Sequence, residues 1–65
     1  MNEFPNNLKL LRKEKNISQT ELSKLLKVSL KTISHWETGY SEPSIDQIIF
    51  LAKFFNISAD DLLGM

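Results

Sequence analysis

The chain has no cysteine, two glycines, two prolines, one tryptophan and no overall surplus of charge across its 65 residues. The missing cysteine excludes disulfides and thiolate metal sites, and it fits a reducing compartment. No glycine-rich phosphate loop is present. With one histidine and no carboxylates clustered at metal-ligand spacing, there is no set of side chains for metal or acid–base catalysis. Neither an enzyme nor a cofactor, metal or small-molecule ligand is therefore expected. No apolar run nears the roughly 18 residues needed to cross a bilayer. The first fifteen residues, MNEFPNNLKLLRKEK, mix their charges into an amphipathic pattern unlike a secretory signal. A cytoplasmic chain without a membrane partner is expected, and its length makes residues 1–65 a single domain. So short a chain buries only about 60% of the surface it exposes when unfolded, so modest stability is expected.

The zero net charge hides a division. Residues 1–31 hold seven Lys or Arg against three acids, a balance of +4, while residues 32–65 hold Lys53 against five acids, a balance of −4. Such asymmetry orients a molecule towards a polyanion without making it basic overall. Chance segregation of surface charge is the plainer alternative.

What the chain does have is a series of helix starts. Ile17-Ser18-Gln19-Thr20-Glu21-Leu22 is a capping box, with Ile17 and Leu22 as its hydrophobic staple. Val28-Ser29-Leu30-Lys31-Thr32-Ile33 repeats the cap and staple. Ser44 to Gln47, after Pro43, is a third start. Ser58, with Asp60 and Asp61 in the following turn, is a fourth, its acids favoured by the helix dipole. Pro5 and Asn6 open the first helix less distinctly. Asn16 and Gly39 suit the left-handed backbone of helix ends, and Pro43 blocks continuation. The pattern predicts an all-α fold of five helices, near 6–15, 18–26, 29–38, 44–55 and 58–63. The 3.6-residue period places Leu8, Leu11, Leu22, Leu25, Leu26, Ile33 and Trp36 in the core. Ile45, Ile48, Ile49, Ala52, Phe55, Ile57, Leu62 and Leu63 complete the expected core.

Only two or three residues around Lys27 and Val28 join the second and third helices. So short a link sends the second helix of the pair off at a steep angle, the geometry of a helix-turn-helix. The stretch SQTELSKLLKVSLKTISHWETG, followed by Pro43-Ser44 and IIFLAKFFNISADDLL, resembles the Cro and phage-repressor type of helix-turn-helix domain, the xenobiotic-response-element-like family. The resemblance runs from residue 8 to 63, with Ser18-Gln19, Leu22, Val28-Ser29, Ile33, Glu37, Gly39, Pro43, Ala52 and Ile57-Ser58 at the family's spacing. Lys27 departs from the family's usual glycine in the turn, and Ser23 from its usual alanine. The resemblance implies a lambda-repressor-like five-helix fold that binds double-stranded DNA sequence-specifically, usually as a homodimer. A transcriptional regulator is then expected, with repression as the expected sense. A protein-interaction module, such as an antitoxin or anti-repressor on the same scaffold, is the other reading.

In that arrangement the third helix lies in the major groove. Leu30, Lys31, Thr32, Ser34 and His35 project outward from it. Lys31 suits the O6 and N7 acceptors of guanine, His35 can donate to a purine N7, and Leu30 or the Thr32 methyl can touch a thymine methyl. The resemblance implies a phosphate contact for Gln19, helped by Ser18 and the helix start, and backbone contacts for Thr38, Tyr40 and Ser41. Ser29, the cap, belongs to the same expected DNA-binding set. An ordinary solvated helix face is the alternative for the residues projecting from the third helix, and an exposed first-turn position beside the cap is the alternative for Gln19.

The resemblance also implies an ion pair between Arg12 and Glu37 that fixes the reading helix, and Trp36 is expected at the core edge. Phe50 and Phe54 lie four apart on the side of the fourth helix opposite its expected core stripe. They are expected to form part of a homodimer interface with Leu63 and Met65, against the alternative of a widened core stripe.

Overall fold

Four helices begin at a serine whose hydroxyl accepts a backbone N–H three residues on. Ser18 accepts from Glu21 at 3.0 Å, Ser29 from Thr32 at 3.0 Å, Ser44 from Gln47 at 3.2 Å and Ser58 from Asp61 at 2.9 Å. Glu21 and Gln47 accept in return from the Ser18 and Ser44 amides, closing two capping boxes. The computed structural model describes residues 3–65 as five helices: α1 (Phe4–Glu14), α2 (Gln19–Leu26), α3 (Leu30–Thr38), α4 (Ile45–Phe55) and α5 (Ala59–Leu63). Left-handed residues end them: Asn16, Lys27, Gly39, Asn56 and Gly64 all have positive φ. α1 packs against α3 and α5, α2 against α3, and α4 against α5.

The first helix starts at Phe4, two residues earlier than the sequence suggests. Pro5 falls in its first turn, where the missing N–H costs nothing, and the Glu3 cap makes no side-chain bond. The reason is packing: Phe4 is 1% exposed, and extending the helix carries its ring into the core.

The core comprises Phe4, Leu8, Leu22, Ile33, Trp36, Ile48, Leu51, Ala52, Phe55 and Leu62. Leu11, Leu26, Ile57 and Leu63 pack against it half-buried. Three expected core residues lie elsewhere. Leu25, Ile45 and Ile49 are exposed, Ile45 by 78%. On α4 the buried stripe is Ile48, Leu51, Ala52 and Phe55, so the helix is turned about its axis relative to the expected Ile45–Ile49 orientation. Leu51 fills the place assigned to Ile49. The sequence around this helix is apolar on nearly every side, and several stripes fit the same 3.6-residue period.

Candidate nucleic-acid interface

The turn between α2 and α3 is set by Lys27 at φ 56°, ψ 43°. This backbone lets Val28 donate its N–H to the Ser23 carbonyl at 3.0 Å, closing α2 and redirecting the chain into Ser29. Ser23 is buried between the helices, its hydroxyl donating to the Thr20 carbonyl at 2.6 Å. A small side chain there permits the close approach, and its one polar atom is satisfied.

α3 has two distinct faces. Ile33, Trp36 and Glu37 point inward and are buried. Leu30 and Lys31 are exposed, and Thr32, Ser34 and His35 are half-buried. The Ser29 and Thr32 hydroxyls are hydrogen-bonded to each other at 2.9 Å, so the cap also orients Thr32. The His35 and Tyr40 rings meet at 4.5 Å between centroids, inclined by 47°. Thr38 donates to the His35 carbonyl at 3.2 Å. Tyr40 is exposed and Ser41 half-buried, in the loop that leaves α3.

Behind α3 lies a polar network that the inward face requires. Arg12 of α1 donates from Nε to Glu37 Oε2 at 2.7 Å and from Nη2 to Oε1 at 3.2 Å. Its Nη1 donates to the Ile17 carbonyl at 2.9 Å. Gln19 Nε2 adds a third bond to the carboxylate, to Oε1 at 3.0 Å. The side chains of Arg12 and Glu37 are 11% and 3% exposed. A buried carboxylate demands such satisfaction, and a bidentate guanidinium supplies it with fixed geometry. The network ties α1, the start of α2 and the end of α3 together. No local pattern pointed to the Gln19 bond, because its acceptor lies 18 positions away.

The charges divide more finely than the sequence halves imply. Arg12 is neutralised by Glu37, and the Lys15 ammonium lies 5.2 Å from the centre of the Phe54 ring. Within residues 18–39 the exposed cations are Lys24, Lys27 and Lys31. Among the described residues none of these three makes an ion pair.

On α4, Phe50 is exposed and stacks on Phe54, with centroids 6.2 Å apart and planes 8° from parallel. Phe54 is not fully outward: it is half-buried and meets Phe55 edge-on at 5.0 Å. Leu63 is half-buried and Met65 exposed. A shallow depression of about 250 Å³ lies between α1 and α5, lined by Asn7, Leu10, Leu11, Glu14, Ile57 and Asp61. It contains none of the residues of α3.

This arrangement has relatives. The chain is 39% identical over 62 residues to the helix-turn-helix transcriptional activator BcrR of Enterococcus faecalis, covering 95% of this chain and 30% of that protein. It is 39% identical over 57 residues to a helix-turn-helix transcriptional regulator of Methanocaldococcus jannaschii, covering 88% of this chain and 86% of the regulator. The solved structure of a transcriptional regulator from Listeria innocua superposes with a TM-score of 0.92 at 34% identity, over 95% of this chain and 58% of that one. The chain thus spans about a third of the activator's length and little more than half of the Listeria chain. The helix-turn-helix family model matches residues 8–62, from α1 to α5, and the chain belongs to that family, in its Cro and phage-repressor branch.

Proposed function

We propose that this chain binds double-stranded DNA sequence-specifically as a transcription regulator, with α3 in the major groove. The observation that carries this is the division of α3. Its inner face is locked by Ile33, Trp36 and the Arg12–Glu37–Gln19 network, while Leu30 and Lys31 stand exposed beyond it. A reading helix needs this combination, because base readout depends on the helix being held in one register.

In this reading Lys31 donates to guanine acceptors and His35 to a purine N7. Leu30 and the Thr32 methyl contact thymine methyls. Ser18 and the α2 start hold a phosphate; Gln19, whose Nε2 serves Glu37, also supports the reader from behind. Ser29, Thr38, Tyr40 and Ser41 contact the backbone, supplying hydroxyls rather than charge and so positioning the domain more than attracting it. Two copies read two half-sites, about one turn of B-DNA or roughly 34 Å apart, with the second copy docking through the patch around Phe50 and Phe54. The protein acts by binding, in the cytoplasm. The scaffold serves an activator among its relatives, so the proposal does not depend on repression.

The test is selection of bound duplexes from a random DNA pool, followed by binding of Lys31→Ala to the selected site. Enrichment of one motif is expected, with the variant weaker by about 1–3 kcal/mol and less selective at one base pair. No enriched motif would overturn the DNA reading and favour a protein partner. Unchanged affinity and preference in the variant would remove Lys31 from the readout.

A further inference from the structure

We propose that two copies of this chain pair through α4, antiparallel, about a twofold axis between Ile49 and Phe50, with an Asp46–Lys53 ion pair between the copies on each side. This deepens the dimeric reading above by naming its surface and register, and it does not depend on which bases α3 reads.

Four large apolar residues line the outer side and flanks of α4. Ile45, Ile49 and Phe50 are exposed, and Phe54 is half-buried and stacked on Phe50. Between them stand two exposed charges, Asp46 and Lys53. The two lie seven residues apart, hence on one side of the helix and about 10.5 Å from each other along its axis, too far to pair within one copy. Among the described residues neither has an ion-pair partner.

The order of these residues is self-complementary. A twofold axis between positions 49 and 50 sets Asp46 level with the second copy's Lys53. It also keeps each flank of the helix on its own side, so Ile49 meets the second copy's Ile49 on one flank and Phe50 meets its Phe50 on the other. Acid meets base along the centre of the face, and apolar meets apolar on both flanks. The core residues Ile48 and Leu51 lie on the opposite side of the helix, so the buried stripe stays turned away from the second copy. A parallel pairing would instead set like charge against like. A symmetric interface of this kind requires one patch to complement itself, and charges within it fix the register. Leu63 and Met65 take no part.

Sedimentation equilibrium of the wild type, Asp46→Lys, Lys53→Asp and the double exchange tests the pairing. The wild type is expected to dimerise. Each single reversal places two like-charge contacts in the interface and weakens dimerisation by about tenfold or more. The double exchange restores both pairs and returns the dissociation constant to within about threefold of wild type. Asp46 lies in the first turn of α4 and Lys53 in the last, both favoured by the helix dipole. The double exchange is therefore the least favourable for the helix itself, and its recovery cannot come from better folding. Circular dichroism establishes that each variant is folded. Equal dimerisation by all four proteins would overturn the α4 pairing but leave a dimer through another face. A double exchange no tighter than the single reversals would overturn the register. A wild type monomeric to millimolar concentration would overturn the pairing and the solution dimer together, leaving the DNA reading to its own experiment.

Discussion

At the scale of single residues, Glu37 places a carboxylate at 3% side-chain exposure beside a hydrophobic core. Three hydrogen bonds, two from Arg12 and one from Gln19, make that arrangement tenable. Glu37→Ala strands the Arg12 guanidinium and is expected to cost about 3 kcal/mol in urea unfolding. Replacing both partners by apolar residues, as Arg12→Met with Glu37→Leu, is expected to cost less than the single change. The reverse order would mean that the pair itself, and not the stranded charge, sets the stability. Lys27 presents the opposite case, a side chain that its backbone disfavours. Its φ of 56° is the left-handed region where glycine has no penalty. Lys27→Gly is expected to gain about 0.5–1 kcal/mol, less than the full left-handed cost because glycine also loosens the unfolded chain. A loss of stability would show that the lysine makes compensating contacts. The tight turn was legible from the short link between the second and third helices, and its special residue at Lys27 only from the resemblance, whereas the Gln19 bond joins positions too distant in sequence for any local pattern to reveal.

Among the helices, the ends of α1 and α5 hold each other. Asn7 donates from Nδ2 to the carbonyls of Asp61 and Leu62, each at 3.2 Å, satisfying acceptors that the end of a helix leaves open. Asn7→Ala is expected to lower stability by about 1 kcal/mol and to speed amide exchange in α5 selectively. Uniform exchange throughout the molecule would rule out this local role. Gly64 meets the same region: a Cβ there would collide with the Cβ of Glu3, while one at Gly39 would meet the Pro5 ring at an ordinary 3.6 Å. Both glycines have positive φ, so both alanine variants carry backbone strain of about 1 kcal/mol. Gly64→Ala adds the collision and is expected to be the more damaging, which thermal unfolding of the two variants compares. Helix existence was plain from the serine caps, because each cap and its partner lie three residues apart. The facing of α4 was not. Its apolar residues occupy most of the circumference, and only the tertiary packing of the core selects Leu51 over Ile49 as the inward one.

For the whole molecule, the even balance of charge conceals an uneven use of it. Arg12 is spent inside on Glu37 and Lys15 lies against Phe54, leaving Lys24, Lys27 and Lys31 as the exposed cations of the helix-turn-helix unit. If these three neutralise one phosphate each, the log–log salt dependence of DNA affinity has a slope of about −2.7 per domain. Fluorescence anisotropy between roughly 50 and 200 mM salt measures it. A slope steeper than about −5 would bring the lysines of α1 onto the DNA as well. The sequence showed the segregation of charge and the resemblance implied the pairing of Arg12, but the placing of Lys15 depends on the tertiary meeting of α1 with α4.

Leu30 and Lys31 reach outward without entering the core, while their neighbours Ile33, Trp36 and Glu37 carry the packing. Surface exchanges of this kind typically shift stability by less than about 0.5 kcal/mol. On the proposed reading, in which these two side chains touch bases, the address that such a domain recognises is consequently free to drift. Descendants of one gene can acquire new binding sites through changes at these two positions without passing through an unfolded ancestor. Thr32, tied to Ser29, and His35, set against Tyr40, would change more slowly, each in step with its partner.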